Sequence, residues 1–318
     1  AYDVTQGWNL IGNPFTWDIP VNNVIDTRGM PVNYAYIYEG EWRLAEYIPV
    51  WGGVAIKFDV AGTIGIEPEI FATQKEVWTP PWERTPSIQI IAECEGARDR
   101  LNYIGFIEDA KRGYDENDMV EPPPVGEYVS VYFPHRDWEK PDNYTTDFRP
   151  PIFSAKSDTG EIFDFVVSSN IKGGKVTLSF KGIDDIGTGV YLVDKRLGAT
   201  FDMKIEKDYS FVTSGEDEFA LILGSEQFVE RHAPPLRPKE DRFYIAPNPV
   251  LRAVAIRYDL TRPARVRIKI YDVTGRQVAS LIDKKVNPGY HYITWDMSEA
   301  RFGSGIYFVR IDVDDKHY

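Results

Sequence analysis

Arg265-Val266-Arg267-Ile268-Lys269-Ile270-Tyr271-Asp272-Val273-Thr274-Gly275-Arg276 is the stretch on which the fold turns. Val266, Ile268 and Ile270 alternate with Arg265, Arg267 and Lys269, a period of two that buries the aliphatic set on one face of a strand and leaves the cations on the other. Gly275 supplies the positive φ of a turn, so residues 277–281 return as the partner strand. Asn287-Pro288-Gly289 turns the chain again into residues 290–295, and a loop holding Gly303 and Gly305 leads into the apolar run 306–311. This pattern predicts a small antiparallel sandwich.

The same grammar runs outward through the chain. Short β-branched or aromatic runs bounded by Gly, Asn, Asp and Pro recur at 34–38, 54–58, 128–133, 163–167, 176–180, 190–193 and 219–223. No run of 12 or more residues carries apolar positions at helical spacing, so the class is all-β, with tandem antiparallel sandwiches. Lys172-Gly173-Gly174-Lys175 predicts a hairpin joining 163–168 to 176–180. Two Pro-rich stretches, 78–86 and 231–242, cannot be central strands and read as extended joints. They divide the chain into an aromatic-rich β module at 1–77, an acidic β-sandwich at 87–230 and the terminal sandwich at 243–318, displayed on a Pro-stiffened stalk. Glu121-Pro122-Pro123-Pro124 reads as a stiff loop within the second module.

The 318 residues are 43% hydrophobic and 14% aromatic, which is ample for sizeable cores, and Cys94 is the one cysteine, so no intrachain disulfide forms. Its strand-like surroundings read as a buried small hydrophobe. The net charge of −13 is uneven: residues 243–318 hold 12 Lys and Arg against 8 Asp and Glu, leaving the rest strongly acidic. An acidic body repels nucleic acid and anionic membranes, so no nucleic-acid partner is expected. No apolar run approaches the roughly 20 residues of a membrane helix, and Ala1-Tyr2-Asp3 lacks the basic and apolar pattern of a signal peptide. Neither a membrane span nor a leader is expected within these residues.

The terminal segment resembles a known family. Ala246-Pro247-Asn248-Pro249, the run 255–260, the opening stretch 266–276, Pro288-Gly289-Tyr290-His291, Thr294-Trp295-Asp296 and the run 303–310 stand in the order seen in type IX secretion sorting domains. The segment is also similar to the immunoglobulin-like part of flagellar hook-capping proteins. The resemblance implies an immunoglobulin-like sandwich, recognition by an outer-membrane translocon, and a secreted or cell-surface bacterial protein. It also implies one more strand after residue 311, which this sequence lacks; the open edge is expected to be filled by a partner strand, shielded locally or disordered. Gly7-Trp8-Asn9-Leu10-Ile11-Gly12-Asn13-Pro14-Phe15, Tyr36-Ile37-Tyr38-Glu39-Gly40-Glu41-Trp42 and residues 50–57 resemble modules that precede such tails in large secreted bacterial proteins. Asp99, Asn102, Gly105, Tyr114, Asp115 and Asp118 place the middle module in the same company. By this resemblance the chain is a non-catalytic C-terminal region, and any catalytic or adhesive head precedes Ala1.

Catalytic patterns are poor. His135 is read as a loop residue with no Gly-x-Ser-x-Gly elbow to partner it, His232 lies in a joint, His291 follows a turn and His317 is next to the end. No His-Glu-x-x-His, Cys-x-x-Cys or phosphate-cradling loop is present, and no cofactor is required. Asp115, Asn117, Asp118 and Glu121, with Asp99 and Asn102 nearby, read either as solvated turn acids, the favoured reading, or as a structural calcium site of oxygen donors. Trp42, Trp51, Tyr36 and Tyr38 read as core filling or, in a carbohydrate-binding protein, as a sugar-stacking face. Arg265, Arg267 and Lys269, flanked by Arg257 and Arg276, read as a solvated strand face or as a patch for the export machinery or surface polysaccharide. A structural assembly role, with neighbouring subunits pairing through the open edge, is a further alternative.

Overall fold

The computed structural model describes residues 1–67, 78–151, 159–297, 303–314 and 316–318. Its strands lie in several mostly antiparallel sheets, the all-β sandwich architecture that the alternation predicts. The end of the first module expected at residue 77 lies outside the described residues.

The central part stacks a five-stranded sheet on a six-stranded one. The first runs in the order Thr146–Arg149, Ala97–Phe106, Ser87–Cys94, Lys175–Lys181, Asp208–Val212; the second runs Asp142–Tyr144, Val129–His135, Gly160–Ser169, Glu216–Gly224, Gly189–Asp194, Ala199–Asp202. Phe133, Phe163, Phe165, Phe211 and Phe219 fill the space between them, because alternate residues of every strand point inward. Cys94 is buried in this core, and burial pushes its thiol up to about 11, so it packs as a small hydrophobe.

One local expectation fails here. Gly160–Ser169 pairs with Val129–His135 and Glu216–Gly224, while Lys175–Lys181 pairs with Ser87–Cys94 and Asp208–Val212. The Lys172–Lys175 turn therefore carries the chain from one sheet to the other instead of closing a hairpin. Gly173, at φ +74, and Gly174 are held between Thr213 and the loop at Ile171. A Cβ at position 174 would meet Cys94 Sγ at 2.8 Å, so the close approach requires glycine. The seven-residue helix Glu226–His232, with Ser225 Oγ accepting from Phe228 N–H at 3.2 Å, is too short to show a sustained helical period in the sequence.

The first part has its own core of Val4, Ile11, Ile19, Val24, Ile48 and Ile64, enclosed by short strands from Tyr2–Val4 to Gly62–Ile66. The terminal part faces the sheet Arg242–Ala246, Ala253–Leu260, Gly289–Asp296 against the sheet Gln277–Val286, Ala264–Asp272, Tyr307–Val313, Lys316–His317. Val266, Ile268 and Ile270 are fully buried between these sheets, as their alternation requires. The predicted turn closes with Asp272 N–H donating to Arg276 C=O at 3.0 Å and Gly275 at φ +80.

Neither Pro-rich joint is a free spacer. In the second, Pro234 C=O accepts from Thr200 Oγ1 at 2.7 Å, and Ala233 and Leu236 pack on an apolar cluster of the central part. The stalk expected from proline content is a strap laid along the neighbouring sheet, because proline stiffens a chain without preventing its rings and carbonyls from packing.

Candidate functional site

The six oxygen donors read as a calcium site fall into two groups. Asp115, Asn117 and Asp118 close a turn on themselves: Asp115 Oδ1 accepts from Asn117 N–H at 2.8 Å, and Asp118 Oδ2 accepts from Asp115 N–H at 2.8 Å. Asn117 Oδ1 is also taken by Arg84. Burial pushes the Asp118 carboxyl up to about 8, with Asp115 and Asp147 adding to the rise. Asp99, Asn102 and Glu121 sit elsewhere: Asp99 Oδ2 accepts from Val131 N–H at 2.7 Å, Glu121 Oε1 from Ser130 Oγ at 2.7 Å, and Asn102 Oδ1 from Thr145 Oγ1 at 3.1 Å. Burial pushes Asp99 up to about 6, with the Glu41 charge adding to the rise, and pushes Glu121 well above its ordinary range, with the Asp99 charge adding to it. These two and Glu41 border a small cavity of about 30 Å³. Among the described residues, no group of three or more His, Cys, Asp or Glu is placed to hold a metal ion. The six donors thus stand as a self-bonded turn and, apart from it, a buried carboxyl pair with Asn102.

The aromatic candidates divide as sharply. Tyr36 is fully buried and its hydroxyl donates to Val120 C=O at 2.9 Å; Trp42 Nε1 donates to Pro123 C=O at 2.9 Å, with Tyr38 packed edge-on against it at 5.2 Å. Tyr36 and Trp42, with Trp8, Trp78 and Trp82, join the first part to the central part around Met119, as core filling, while Tyr38 is 40% exposed; the three do not form the exposed row that a sugar-stacking face requires. Alternation put them on one sheet face, and Val120 and Pro123 of the central part lie against its Tyr36 and Trp42 rings. Trp51 is different. It is 76% exposed, at φ +56, beside Leu10, which is 82% exposed. A non-glycine residue in that left-handed region costs roughly 1–2 kcal/mol.

His135 ends a strand instead of lying in a loop. Its ring stacks on Trp138 at 3.5 Å and its Nε2 is 3.0 Å from Asp147 Oδ2. Arg149 grips the same carboxylate through two bonds of 2.9 and 2.7 Å and reaches Glu161 at 3.1 Å. Burial acts to raise Asp147, but hydrogen bonds from His135 and Arg149 outweigh it and hold the carboxyl below the usual range. The sequence shows no sign of this lock, since its members come from three strands.

On the terminal part, the basic strand face is largely neutralised in place. Arg265 pairs with Asp283 at 2.8 Å, Arg276 with Asp272 at 3.1 Å, and Arg267 lies 3.8 Å from Asp312. Arg257 is not on that face at all: it pairs with Asp259 at 2.6 Å and bonds to Leu197 C=O of the central part. Lys269 stands opposite Arg310 across the ladder. The open edge is shielded locally at its end, where Lys316–His317 folds back on Asp312 and Val313 and the Tyr318 ring packs tilted against Phe243 at 4.4 Å. Ile311 N–H donates to Tyr318 C=O at 3.1 Å, while Phe308 and Ile306 remain exposed further along.

Residues 244–318 match the family model of the secretion system C-terminal sorting domain. The match is the type IX tail expected from the ordered motifs, and it covers only the end of the chain. No curated protein matches the chain. A sorting tail marks proteins exported to the cell surface or secreted, and implies interaction with the type IX machinery. Among the described residues no helix is long and apolar enough to cross a membrane. In this chain the sorting tail is docked: Tyr292 Oη accepts from Ser210 N–H at 2.7 Å, its ring meets Tyr209 at 5.1 Å, and Tyr290 meets Phe201 edge-on at 6.1 Å.

Proposed function

We propose that this chain is the non-catalytic C-terminal region of an exported bacterial protein, with an immunoglobulin-like sorting domain as its address and the two preceding units as accessory modules. The observation that carries the reading is the match over residues 244–318. Its physical support is that the tail offers a whole sheet face and a partly open strand edge to a receptor while its other sheet rests on the central part. The pairing of Arg265, Arg267 and Arg276 with acids favours a solvated strand face over a charge-driven patch, because neutralised cations project little field beyond a Debye length. Recognition then rests on shape and on strand-edge hydrogen bonds.

The test is export from a bacterium that has the type IX system. The chain, expressed behind an added export leader, reaches the cell surface, and the same protein lacking residues 243–318 is retained within the envelope. Equal surface delivery of the truncated protein would sink the reading.

A further inference from the structure

Trp51 occupies the third position of the turn Pro49-Val50-Trp51-Gly52, closed by Gly52 N–H donating to Pro49 C=O at 2.8 Å. Its φ of +56 is one that turns of this kind ordinarily give to Gly or Asn. Neither the backbone nor burial favours tryptophan here, since the indole is left mostly in water. Strained positions of this sort persist where something other than stability retains them. The turn is also held rigidly: Val50 N–H donates to Asp18 Oδ1 at 2.8 Å, Asn13 N–H to Gly52 C=O at 2.9 Å, and Asn13 Nδ2 to Ile48 C=O at 2.8 Å. The backbone that carries the indole is therefore fixed in place beside the strands it adjoins.

Beside it runs a groove of about 430 Å³ between Tyr2–Val4 and Gly7–Gly12, a size within the roughly 300–1,000 Å³ of small-molecule sites. Both bordering strands are edges of their sheets among the described residues, so they carry backbone donors and acceptors outside the ladders. Leu10 and Tyr2 add apolar surface, Asp3 adds a carboxylate, and no Lys or Arg is among the described residues lining the groove. A ligand here must offer a flat face of polarised C–H bonds to the electron-rich face of the indole, hydroxyls to the strand edges, and no negative charge. We propose that this groove binds a neutral saccharide whose ring stacks on Trp51. The inference is independent of the tail's address.

The experiment titrates the full chain calorimetrically with cellohexaose, laminarihexaose, mannohexaose and xylohexaose, and with polygalacturonate as the anionic comparison. At least one neutral oligosaccharide binds, with affinity lowered tenfold or more in Trp51→Ala and unchanged in Trp17→Ala, an exposed tryptophan outside the groove. Trp51→Gly loses binding while its Tm equals or exceeds the parent's, because glycine accepts the left-handed φ without strain. Binding of polygalacturonate alone, no binding by any neutral probe, full affinity in Trp51→Ala, or a Trp51→Gly protein that melts lower than the parent would each overturn the proposal.

Discussion

The first part meets the central part mainly through buried aromatic rings, whereas the sorting tail meets it through two partly buried tyrosines and two guanidiniums. At the first joint Tyr36, Ala55 and Met119 are buried among five tryptophan or tyrosine rings, and Trp82 stacks on Tyr103 at 4.1 Å. At the second joint the contacts are Tyr292 with Ser210, Arg257 with Leu197 and Arg252 with Glu95. Apolar burial scales with area and ignores salt, while exposed charge pairs are individually weak and screened. The comparison teaches that the two ends of the chain are held to the central part by different proportions of apolar burial and charge pairing.

The largest blow to that contrast falls on Tyr36. Tyr36→Ala removes a fully buried ring from the first joint and is expected to cost about 3–5 kcal/mol in urea denaturation followed by tryptophan fluorescence. A loss under about 1 kcal/mol would show that the rings there are not what holds the parts together.

A middle-sized effect is set by pH. The Asp118 carboxyl, next to Met119 of the first joint, has a folded pKa raised to about 8 from an ordinary 3.8. Between those values the folded state holds more protons than the unfolded chain, so stability falls as pH rises from about 4 to about 8. Asp118→Asn is expected to flatten this part of the Tm profile, raising Tm most at pH 8 and least at pH 4. Parallel profiles for parent and variant would refute the assignment.

The smallest effect belongs to the second joint. Arg252→Ala breaks an exposed pair with Glu95 and is expected to change stability by about 0–1 kcal/mol, vanishing in 1 M salt. A larger loss that persists in salt would make the two joints alike.

Much of the fold was legible before any coordinates. Alternation at 265–270 marked the buried face correctly because strand geometry ties sequence parity to sheet side. The turn at Gly275 was legible for the same local reason. Sheet membership was not: Lys172–Lys175 has the composition of a hairpin, yet its flanking strands join different sheets, since long-range pairing decides where a strand goes after a turn. The candidate sites fared according to distance in the chain. Asp115 and Asp118 share a turn because they are neighbours in sequence, whereas Asp99 and Glu121 are brought together only by folding.

The sequence alone determined the all-β class, the alternating faces, the identity of the terminal family and the buried inertness of Cys94. Those follow from local periodicity, ordered motifs and residue chemistry. Only the tertiary structure decided that the stalk is a docked strap, that Arg257 faces inward, and that Trp51 is the most exposed of the four aromatic candidates. The reason is physical: a residue's exposure depends on what packs over its sheet face, and the covering segment can come from anywhere in the chain.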